Sequence, residues 1–580
     1  MVDQDDGYKD ENVSLLRSSK SSYKTFPGQT LNSSNSNNPL LESQTSSQAS
    51  SSRMPIMGSE NVDIFHDKDR GSRTASPGLS NQPLEKNGYV QKVSKAGTSS
   101  VSSGHPDDDH QRSAAEISAE ESRILRKIDL RLVPLLIICY FLQYLDKGSI
   151  GFASILGIIP DLNLHDQQYS WANSIFFFGY LIFSYPTSVL IVKFPIGKYV
   201  SVTVMIWAVI LMLHAACKNG AGLMAVRFFL GMGEATVVPA FAVLIGLFYK
   251  REEQPLRQCA FFIGDGIAGI TGGLIAYGIA HINGKLATWR CLFLIYGAGT
   301  LVFGAILFFT LPSGPSNAYF LTEDEQKMAV ERVRGNGSKK TGKYKKSQII
   351  EALKDPQAWL LTMNTFCVNV ATGGLSGFGN LIIMGFGYDL FETLLLQIPF
   401  GVSQIVFVSI GAYLGSFVKN ARLFAMVFFM VVSITGTLMM FLIPAEHKVA
   451  RVGGACLASA FSANLPMATS MVTSNITGFT KKATVMSMVF VAYCVGRIVG
   501  PQFFLDSEAP RYQTGMRAIV SVFSIAATLA IILRLYLMRE NSRRNKLSRD
   551  SPATARGDSN TAEDDLDITD QEDMSFRYLM

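Results

Sequence analysis

The chain changes from polar to strongly apolar after Glu120 and becomes polar again after residue 540. Residues 1–120 are dominated by Ser, Asn, Asp, Gly and Lys, and residues 541–580 by Arg, Ser, Asp and Glu. Between them lie twelve apolar segments, each close to the roughly 20 residues that a helix needs to cross a bilayer. The first six are Val133–Ile158, Tyr169–Ile191, Val200–Cys217, Gly222–Phe248, Gln258–Ile279 and Trp289–Leu311. The second six are Trp359–Ile383, Thr393–Phe417, Leu423–Pro444, Gly453–Thr473, Thr484–Phe504 and Ala518–Met538. The pattern predicts an all-α membrane protein with twelve transmembrane helices.

The spacing of these segments divides the chain into two halves. One long polar stretch, rich in Lys and Arg, separates the sixth segment from the seventh. We expect two six-helix bundles, over residues 121–311 and 357–540, joined by a linker loop over 312–356. The polar tails, 1–120 and 541–580, should be disordered, because they bury too little apolar surface to offset the entropy of ordering. Two such bundles typically enclose a binding site near the middle of the bilayer.

Composition excludes several classes of protein. The chain is 48% hydrophobic and only 17% charged, against about 25% charged residues in soluble domains. This excludes a soluble enzyme, a disulfide scaffold and a fibrous protein. The net charge of +6 is not concentrated in a basic domain, so no nucleic-acid partner is expected. The seven cysteines lie in or beside apolar stretches without metal-ligand spacing. We expect no metal, no cofactor and no catalytic residues, and a monomer within the lipid bilayer.

The distribution of basic residues predicts the orientation of the chain. Near the span ends, 27 Lys and Arg residues lie on the side shared by both tails and the linker, and 7 lie on the opposite side. Basic residues accumulate on the cytoplasmic side of membrane proteins. Both termini and the linker are therefore predicted to be cytoplasmic.

Ionisable residues inside membrane spans are costly and usually face a cavity or a partner. Arg227 and Glu234 are seven residues apart in the fourth span, so they lie two turns apart on one helix face. A cation and an acid arranged in this way are able to exchange partners, which would leave Arg227 free to hold an anion when Glu234 is protonated. The alternative is a structural pair that locks the fourth helix to the first.

The first span carries three polar residues in succession along the helix, Gln143, Asp146 and Lys147. The side chains of Asp146 and Lys147 diverge by about 100° because the two residues are adjacent. In a functional interpretation Lys147 binds the substrate anion and Asp146 binds a proton, with Gln143 as a further substrate contact. The alternative places Asp146 and Lys147 in an ion-paired rim at one mouth of the protein.

Three further polar residues are candidates for substrate contact. Asp265 lies among glycines in the fifth span, where the alternative role is capping or polar packing. Arg497 lies between glycines in the eleventh span and would otherwise satisfy backbone carbonyls. Asn369, in the seventh span, is a candidate for the cavity wall or for a contact between helices.

Several motifs resemble one known family. RFFLGMGEA, the basic stretch FPIGKYV and the six-plus-six layout resemble the major facilitator superfamily. More specific matches resemble its fungal allantoate permease family of anion:cation symporters, over roughly residues 125–540. They are LQYLDKGSIGFASILG, QQYSWANSIFFFGYLIFSYPTSVLI, EEQPLRQCAFF, TWRCLFLIYG, LTEDEQKMAVERVR, TGGLSGFGNLII, LLQIPFG, NITGFTKKATVMSMVFVAY and GPQFF.

The resemblance implies proton-coupled uptake of a small organic anion by alternating access. By similarity, Asp146 and Glu234 would be protonation sites, and Lys147 and Arg227 would serve substrate binding and coupling. A substrate-contacting polar residue of the fifth span would fall near Asp265. Two departures from the family pattern stand out. The Asp-Arg pair of the loop after the second span is missing from VKFPIGKYV, and Arg497 replaces the Asn of the eleventh-span motif. The second departure points to a substrate that is more anionic than, or different from, that of the commonest members.

The expected substrate is a carboxylate such as allantoate, ureidosuccinate, nicotinate or pantothenate, carried across the plasma membrane together with protons. Two alternatives remain at this stage. One is a nutrient sensor of the same fold, which the intramembrane acids argue against. The other is a transporter of the same class in the vacuolar or endoplasmic reticulum membrane.

Overall fold

The computed structural model describes residues 106–250, 253–337, 345–418, 420–550 and 567–580. Most of the predicted N-terminal tail therefore lies outside the described residues. Within these described ranges, twelve helical segments are long and apolar enough to cross a membrane, which confirms the predicted all-α fold, and we call them spans 1 to 12. Spans 1 to 6 are Ala119–Ile155, Gln168–Lys193, Ile196–Ala216, Gly220–Phe248, Ile263–Ala280 and Thr288–Thr310. Spans 7 to 12 are Pro356–Met384, Leu390–Gly415, Arg422–Leu442, Lys448–Asn475, Phe479–Phe503 and Gln513–Arg549.

Several spans are interrupted or belong to longer helices. Helices Pro106–Ile155, Gln254–Ala280 and Gln513–Asp550 contain spans 1, 5 and 12. Span 4 consists of helices Gly220–Glu234 and Val237–Phe248, and span 8 of Leu390–Leu395 and Gln397–Phe417. Span 10 consists of Lys448–Ala458 and Asn464–Asn475, joined by the 3-10 turn Ser459–Ala463. Span 3 comprises Ile196–Leu213 and the 3-10 turn His214–Ala216, and span 11 comprises Phe479–Val499 and Gly500–Phe503. A short helix, Ile158–Asp161, follows span 1.

The helix that contains span 1 begins at Pro106, before the expected domain boundary at residue 120 and before the apolar segment that starts at Val133. Ile124, Ile128 and Leu132 are spaced by one turn and are fully buried, because a four-residue repeat places apolar side chains on one helix face. Asp129, on the same turn, pairs with Arg257 at 2.7 Å. This buried face explains why the helix continues through the polar sequence that precedes the apolar segment.

The two halves, spans 1–6 and spans 7–12, meet mainly where span 5 packs on span 8, span 1 on span 7 and span 2 on span 11, with a smaller contact between spans 2 and 7. Glycines allow helices to approach closely inside each half. A Cβ added at Gly500 would lie 2.1 Å from the carbonyl oxygen of Val370, and one at Gly373 would lie 2.9 Å from Cα of Arg497. Small residues at helix contacts are a main source of packing in membrane proteins. Spans 7 and 11 are therefore in direct backbone contact.

The stretch predicted as a linker loop contains two helices, which we call the first linker helix, Glu323–Gly337, and the second linker helix, Lys346–Lys354. We call the side of the molecule that bears them the linker end and the opposite side the far end. The first linker helix binds the N-terminal half: Lys127 donates a hydrogen bond to Glu325, which lowers the pKa of Glu325, and Arg332 pairs with Glu253. The second linker helix packs against span 11.

The structure differs from the expectation of a disordered C-terminal tail. The last long helix continues to Asp550, and residues Asp567–Met580, which we call the C-terminal segment, pack against the linker end of the C-terminal half. Tyr578 is buried within the same apolar cluster as Leu361 and Val485. The segment is held by buried polar contacts, a source of order that its acidic composition does not reveal.

The described hydrogen bonds between the two halves lie at mid-depth or toward the far end. From span 2, the Tyr169 hydroxyl donates to the carbonyl oxygen of Gly377 at 2.7 Å, and the Ser174 hydroxyl donates to that of Ile498 at 2.6 Å. The side-chain amide of Gln502 donates to Ser174 at 2.9 Å. These bonds close the far end of the interface between the halves.

Candidate functional site

A cavity of about 140 Å³ lies between the two halves, from mid-depth toward the far end. Side chains from spans 1 and 5 form one wall, and those from spans 7, 8, 9 and 10 form the other. Most of the surface is apolar, with a few polar groups. These are Tyr144, Asp265, Thr372, Ser376, Asn380, Gln397 and Gln404. An apolar cavity with a small number of placed polar groups is the usual form of a small-molecule site.

Lys147 and Glu234 form an ion pair between spans 1 and 4. The Lys147 ammonium lies 3.7 Å from a carboxylate oxygen of Glu234, and their side chains are 11% and 0% exposed. The ammonium also lies 4.9 Å from the ring centre of Tyr180, a favourable position for a cation. Neither carboxylate oxygen of Glu234 has a described hydrogen-bond partner. A buried acid with a single weakly held cation is well suited to exchange that cation for a proton.

Arg227 lies on the same face of span 4 as Glu234, as the spacing predicts, but the structure pairs Glu234 with Lys147 instead. Arg227 is 2% exposed, and its Nε donates to the carbonyl oxygen of Ala172 at 3.3 Å. Its guanidinium carbon lies 5.5 Å from the ring centre of Phe176, and Nη1 has no described partner. The guanidinium therefore keeps hydrogen-bonding capacity for a further acceptor.

Asp146 points into the N-terminal half and does not line the cavity. One carboxylate oxygen accepts hydrogen bonds from the indole N–H of Trp207, at 3.0 Å, and from the hydroxyl of Thr300, at 3.3 Å. The other oxygen is buried without a described hydrogen-bond partner. Asp146 and the adjacent Lys147 thus face different helices, and Asp146 is not part of an ion-paired rim.

Arg497 stands in an aromatic environment at the contact between spans 2 and 11. Its guanidinium carbon lies 5.4 Å from the ring centre of Phe177 and 5.3 Å from that of Tyr493. One terminal nitrogen donates to the hydroxyl of Tyr144 at 3.4 Å, and Nε is buried without a described partner. Because Tyr144 lines the cavity, Arg497 reaches the cavity wall through it.

Asp265 joins the two halves within the cavity wall. It accepts a hydrogen bond from the side-chain amide of Gln404, in span 8, at 3.1 Å. Its second oxygen has no described partner. A polar contact across the interface, at the cavity itself, must break or change when the two halves move apart.

Of the six residues predicted to contact substrate, Asp265 lines the cavity, whereas Lys147, Arg227, Arg497, Gln143 and Asn369 lie outside its lining. Gln143 is fully buried and donates to the backbone carbonyl of Glu234 at 2.9 Å, so it braces spans 1 and 4. Asn369 donates to the carbonyl oxygen of Thr365 on its own helix and packs where Gly496 of span 11 approaches closely. Both side chains are used in contacts within one half. Within the described residues, no group of three His, Cys, Asp or Glu side chains is placed to hold a metal ion.

The structure also assigns roles to residues that the sequence did not single out. Trp207 and Thr300 donate hydrogen bonds to Asp146. Tyr144 accepts one from Arg497, and Gln404 donates one to Asp265. The aromatic residues resemble ordinary apolar span residues in the sequence. Gln404 carried a usable signal, because an amide in a membrane span needs a partner.

Comparisons with known sequences point to one family. The profile of the Major Facilitator Superfamily matches residues 136–501. An uncharacterized transporter of Schizosaccharomyces pombe is 36% identical over 79% of this chain and 87% of its own length. The allantoate permease of Saccharomyces cerevisiae is 34% identical over 80% of this chain and 88% of its own length. A thiamine pathway transporter of the same yeast is 30% identical over 79% and 86%.

Comparison with solved structures supports the fold. The crystal structure of a bacterial homolog of the human lysosomal transporter Spinster, in an inward-facing and occupied conformation, matches with a TM-score of 0.55. The match covers 70% of this chain and 96% of that one, at 16% sequence identity. At this identity the likeness concerns the arrangement of the helices alone.

Proposed function

The chain belongs to the major facilitator superfamily, in the family of the yeast allantoate permease, and is therefore a membrane transporter and not an enzyme. We propose that it takes up a small organic anion together with protons. In this proposal the two halves open alternately to either side of the membrane. The substrate enters the cavity between them, whose lining in this conformation does not include Lys147 or Arg227.

The observation that carries the proposal is the buried pair of Lys147 and Glu234. While Glu234 is ionised it attracts the Lys147 ammonium. When Glu234 takes up a proton this attraction is lost, and Lys147 becomes available to a substrate carboxylate. Arg227, on the same helix face as Glu234, offers a guanidinium suited to two parallel bonds with a carboxylate. Protonation and anion binding thus favour each other.

Asp146 is proposed as a second proton site. It is buried without a described cation within salt-bridge distance and is held by neutral donors from Trp207 and Thr300. Burying an unpaired carboxylate is costly, so a proton on Asp146 removes a large electrostatic penalty. Asp265 and Arg497 are proposed to contact the substrate from the two sides of the interface. This arrangement places proton sites in the N-terminal half and substrate contacts in both halves.

The proposed direction of transport is into the cytoplasm, the side to which the basic residues assign the linker end. In this proposal the hydrogen bonds at the far end separate the cavity from the outer side of the membrane. This state is the one in which an importer releases its substrate and proton. The plasma membrane is the proposed location, since an importer of a nitrogen source or vitamin acts there.

The proposed substrates are carboxylates of the allantoate, ureidosuccinate, nicotinate and pantothenate type. The allantoate permease, by its name, supports the first of these. The test is a flux assay with the purified protein in liposomes, in which each labelled carboxylate is offered under an imposed inward proton gradient. We expect one of them to accumulate, and accumulation to collapse with a protonophore. Binding of the substrate without transport would favour the nutrient sensor. Accumulation of the same extent with and without the proton gradient would contradict proton coupling.

A further inference from the structure

The C-terminal segment, Asp567–Met580, contacts the turn between spans 10 and 11 through helix capping. The N-terminus of span 11 starts after Gly478, which has no side chain to cap it. The first backbone N–H groups of a helix need partners. Here Asp567 accepts a hydrogen bond from the N–H of Phe479 at 2.7 Å, and Asp570 accepts one from the N–H of Thr477 at 3.3 Å. Asp567 therefore caps the first N–H of span 11 and Asp570 binds the residue before the N-cap, while Gln348 of the second linker helix accepts from the next two N–H groups.

A fully buried lysine fixes the acidic part of the segment. The Lys481 ammonium pairs with Asp570 at 2.8 Å and with Glu351 and Asp355 at 3.0 Å each. Glu351 belongs to the second linker helix, and Asp355 precedes span 7. A buried ammonium needs several acceptors to offset its lost hydration. The site thus combines one cation of the C-terminal half with an acid from the C-terminal segment.

Arg544 binds the middle of the segment. It is 2% exposed and donates to the carbonyl oxygens of Asp570, Asp573 and Phe576 at 2.9, 3.0 and 3.2 Å. Its other terminal nitrogen donates to the Tyr578 hydroxyl, which in turn donates to Asp570, both at 2.9 Å. Burial and the neighbouring Asp570 raise the pKa of Tyr578. One guanidinium therefore organises the backbone of the segment into a compact turn.

Two asparagines recognise the peptide backbone at the end of the chain. The side-chain amide of Asn541 both donates to and accepts from the backbone of Tyr578, at 2.9 and 3.0 Å. Asn475 makes the same pair of bonds with the backbone of Leu579, both at 2.8 Å. Main-chain hydrogen bonds of this kind supply affinity in one mode by which proteins bind extended peptides.

From these contacts we propose that the linker end of the C-terminal half is a peptide-binding site for an acidic peptide that carries a tyrosine after its acidic residues. The C-terminal segment occupies this site within the same molecule as a detachable clasp on the turn between spans 10 and 11. The site lies apart from the transport cavity and stands whether or not the protein is a proton symporter. Its ligand is a peptide that has carboxylates matched to Lys481 and a tyrosine matched to Arg544.

The first test keeps the full chain. A protease site is inserted within residues 551–566, and the purified protein is cleaved and passed over a size-exclusion column. We expect the C-terminal fragment to elute with the transporter, and to separate from it in the double variant Asp570→Asn, Tyr578→Phe. The matched control is Gln571→Ala, because that side chain is exposed and makes no described contact. Separation of the fragment from the unmutated protein would overturn the proposal, as would elution of the uncleaved chain as a dimer that exchanges segments.

Two further measurements do not depend on the cleaved form. A fluorescent peptide with the sequence of residues 567–580 should bind a chain that ends at residue 566 and should not bind the full chain. Asn475→Ala in the truncated chain should weaken this binding by at least about tenfold, because two hydrogen bonds are lost. In the full-length double variant, the amides of Thr477 and Phe479 should exchange with deuterium faster. Unchanged exchange in that variant, which retains the whole segment, would also overturn the proposal.

Discussion

Replacing Glu234 by Gln tests whether this acid couples protons to transport. At the 3.7 Å separation of Lys147 and Glu234, an effective dielectric constant of 20 gives a gross attraction of about 4.5 kcal/mol. That corresponds to roughly a thousandfold, an upper limit on how strongly an ionised Glu234 competes with the substrate for Lys147. At low pH the protonated acid releases Lys147, and as the pH rises the ionised acid holds it. Substrate affinity should therefore fall with rising pH in the unmutated protein and stay flat in Glu234→Gln.

The same variant should lose accumulation and keep exchange. With the membrane potential clamped, a proton gradient of two pH units supports up to about a hundredfold accumulation for each coupled proton. In Glu234→Gln this should fall to about equal concentrations inside and outside, while exchange of external for preloaded internal substrate partly survives. Liposomes containing the purified protein allow both measurements. Asp146→Asn should show the same pattern if it shares the proton.

The matched control is Glu331→Gln, the same change on an exposed face of the first linker helix. It should retain both accumulation and pH dependence. Normal accumulation in Glu234→Gln, in Asp146→Asn and in the double variant would refute the reasoning. The coupling acid would then have to be Asp265, or the protein would be a uniporter.

Three further predictions concern single side chains. Arg227→Lys should abolish uptake while the protein still reaches the membrane, because a point charge does not replace two parallel guanidinium bonds; normal uptake would contradict this. Arg497→Asn should change which anions compete for uptake at unchanged surface expression, and an unaltered competition profile would assign Arg497 to packing against Tyr144. Ser174→Ala removes two far-end hydrogen bonds, to the Ile498 carbonyl and from Gln502, each worth about 1 kcal/mol, so the far-end-open population should rise about thirtyfold. The measurement is the rate at which an impermeant thiol reagent labels Thr372→Cys, and an unchanged rate would show that these bonds do not hold the far end closed.

The sequence was sufficient to predict the spans because the length of an apolar segment is a direct consequence of bilayer thickness. The sequence also identified the ionisable residues within the spans, because few charged residues interrupt the apolar segments. It did not predict the partner of Glu234. The seven-residue spacing relates Arg227 to Glu234 along one helix, whereas Lys147 approaches from span 1, and that approach depends on how two helices pack.

The C-terminal segment shows the other limit of sequence reasoning. Its composition is polar and acidic, which is typical of disordered tails. Its order comes from contacts with Lys481, Arg544, Asn475 and Asn541, residues between 26 and 104 positions away along the chain. Such contacts leave no periodicity in the sequence. Individually, a lysine or an asparagine at a span end resembles an ordinary polar boundary residue.

The hydrogen bonds that close the far end limit the substitutions that are tolerated in one half more than in the other. The donor to the carbonyl of Ile498 is a side chain, Ser174, whereas the acceptor is a backbone atom that every residue possesses. Substitution of Ile498 by another aliphatic residue therefore leaves the acceptor in place, but any loss of the hydroxyl at position 174 removes the bond. Divergence among descendants of this chain should accordingly be freer at position 498 than at position 174. Selection on the ease of opening would then act mainly through span 2, on one half of a structure whose two halves move together.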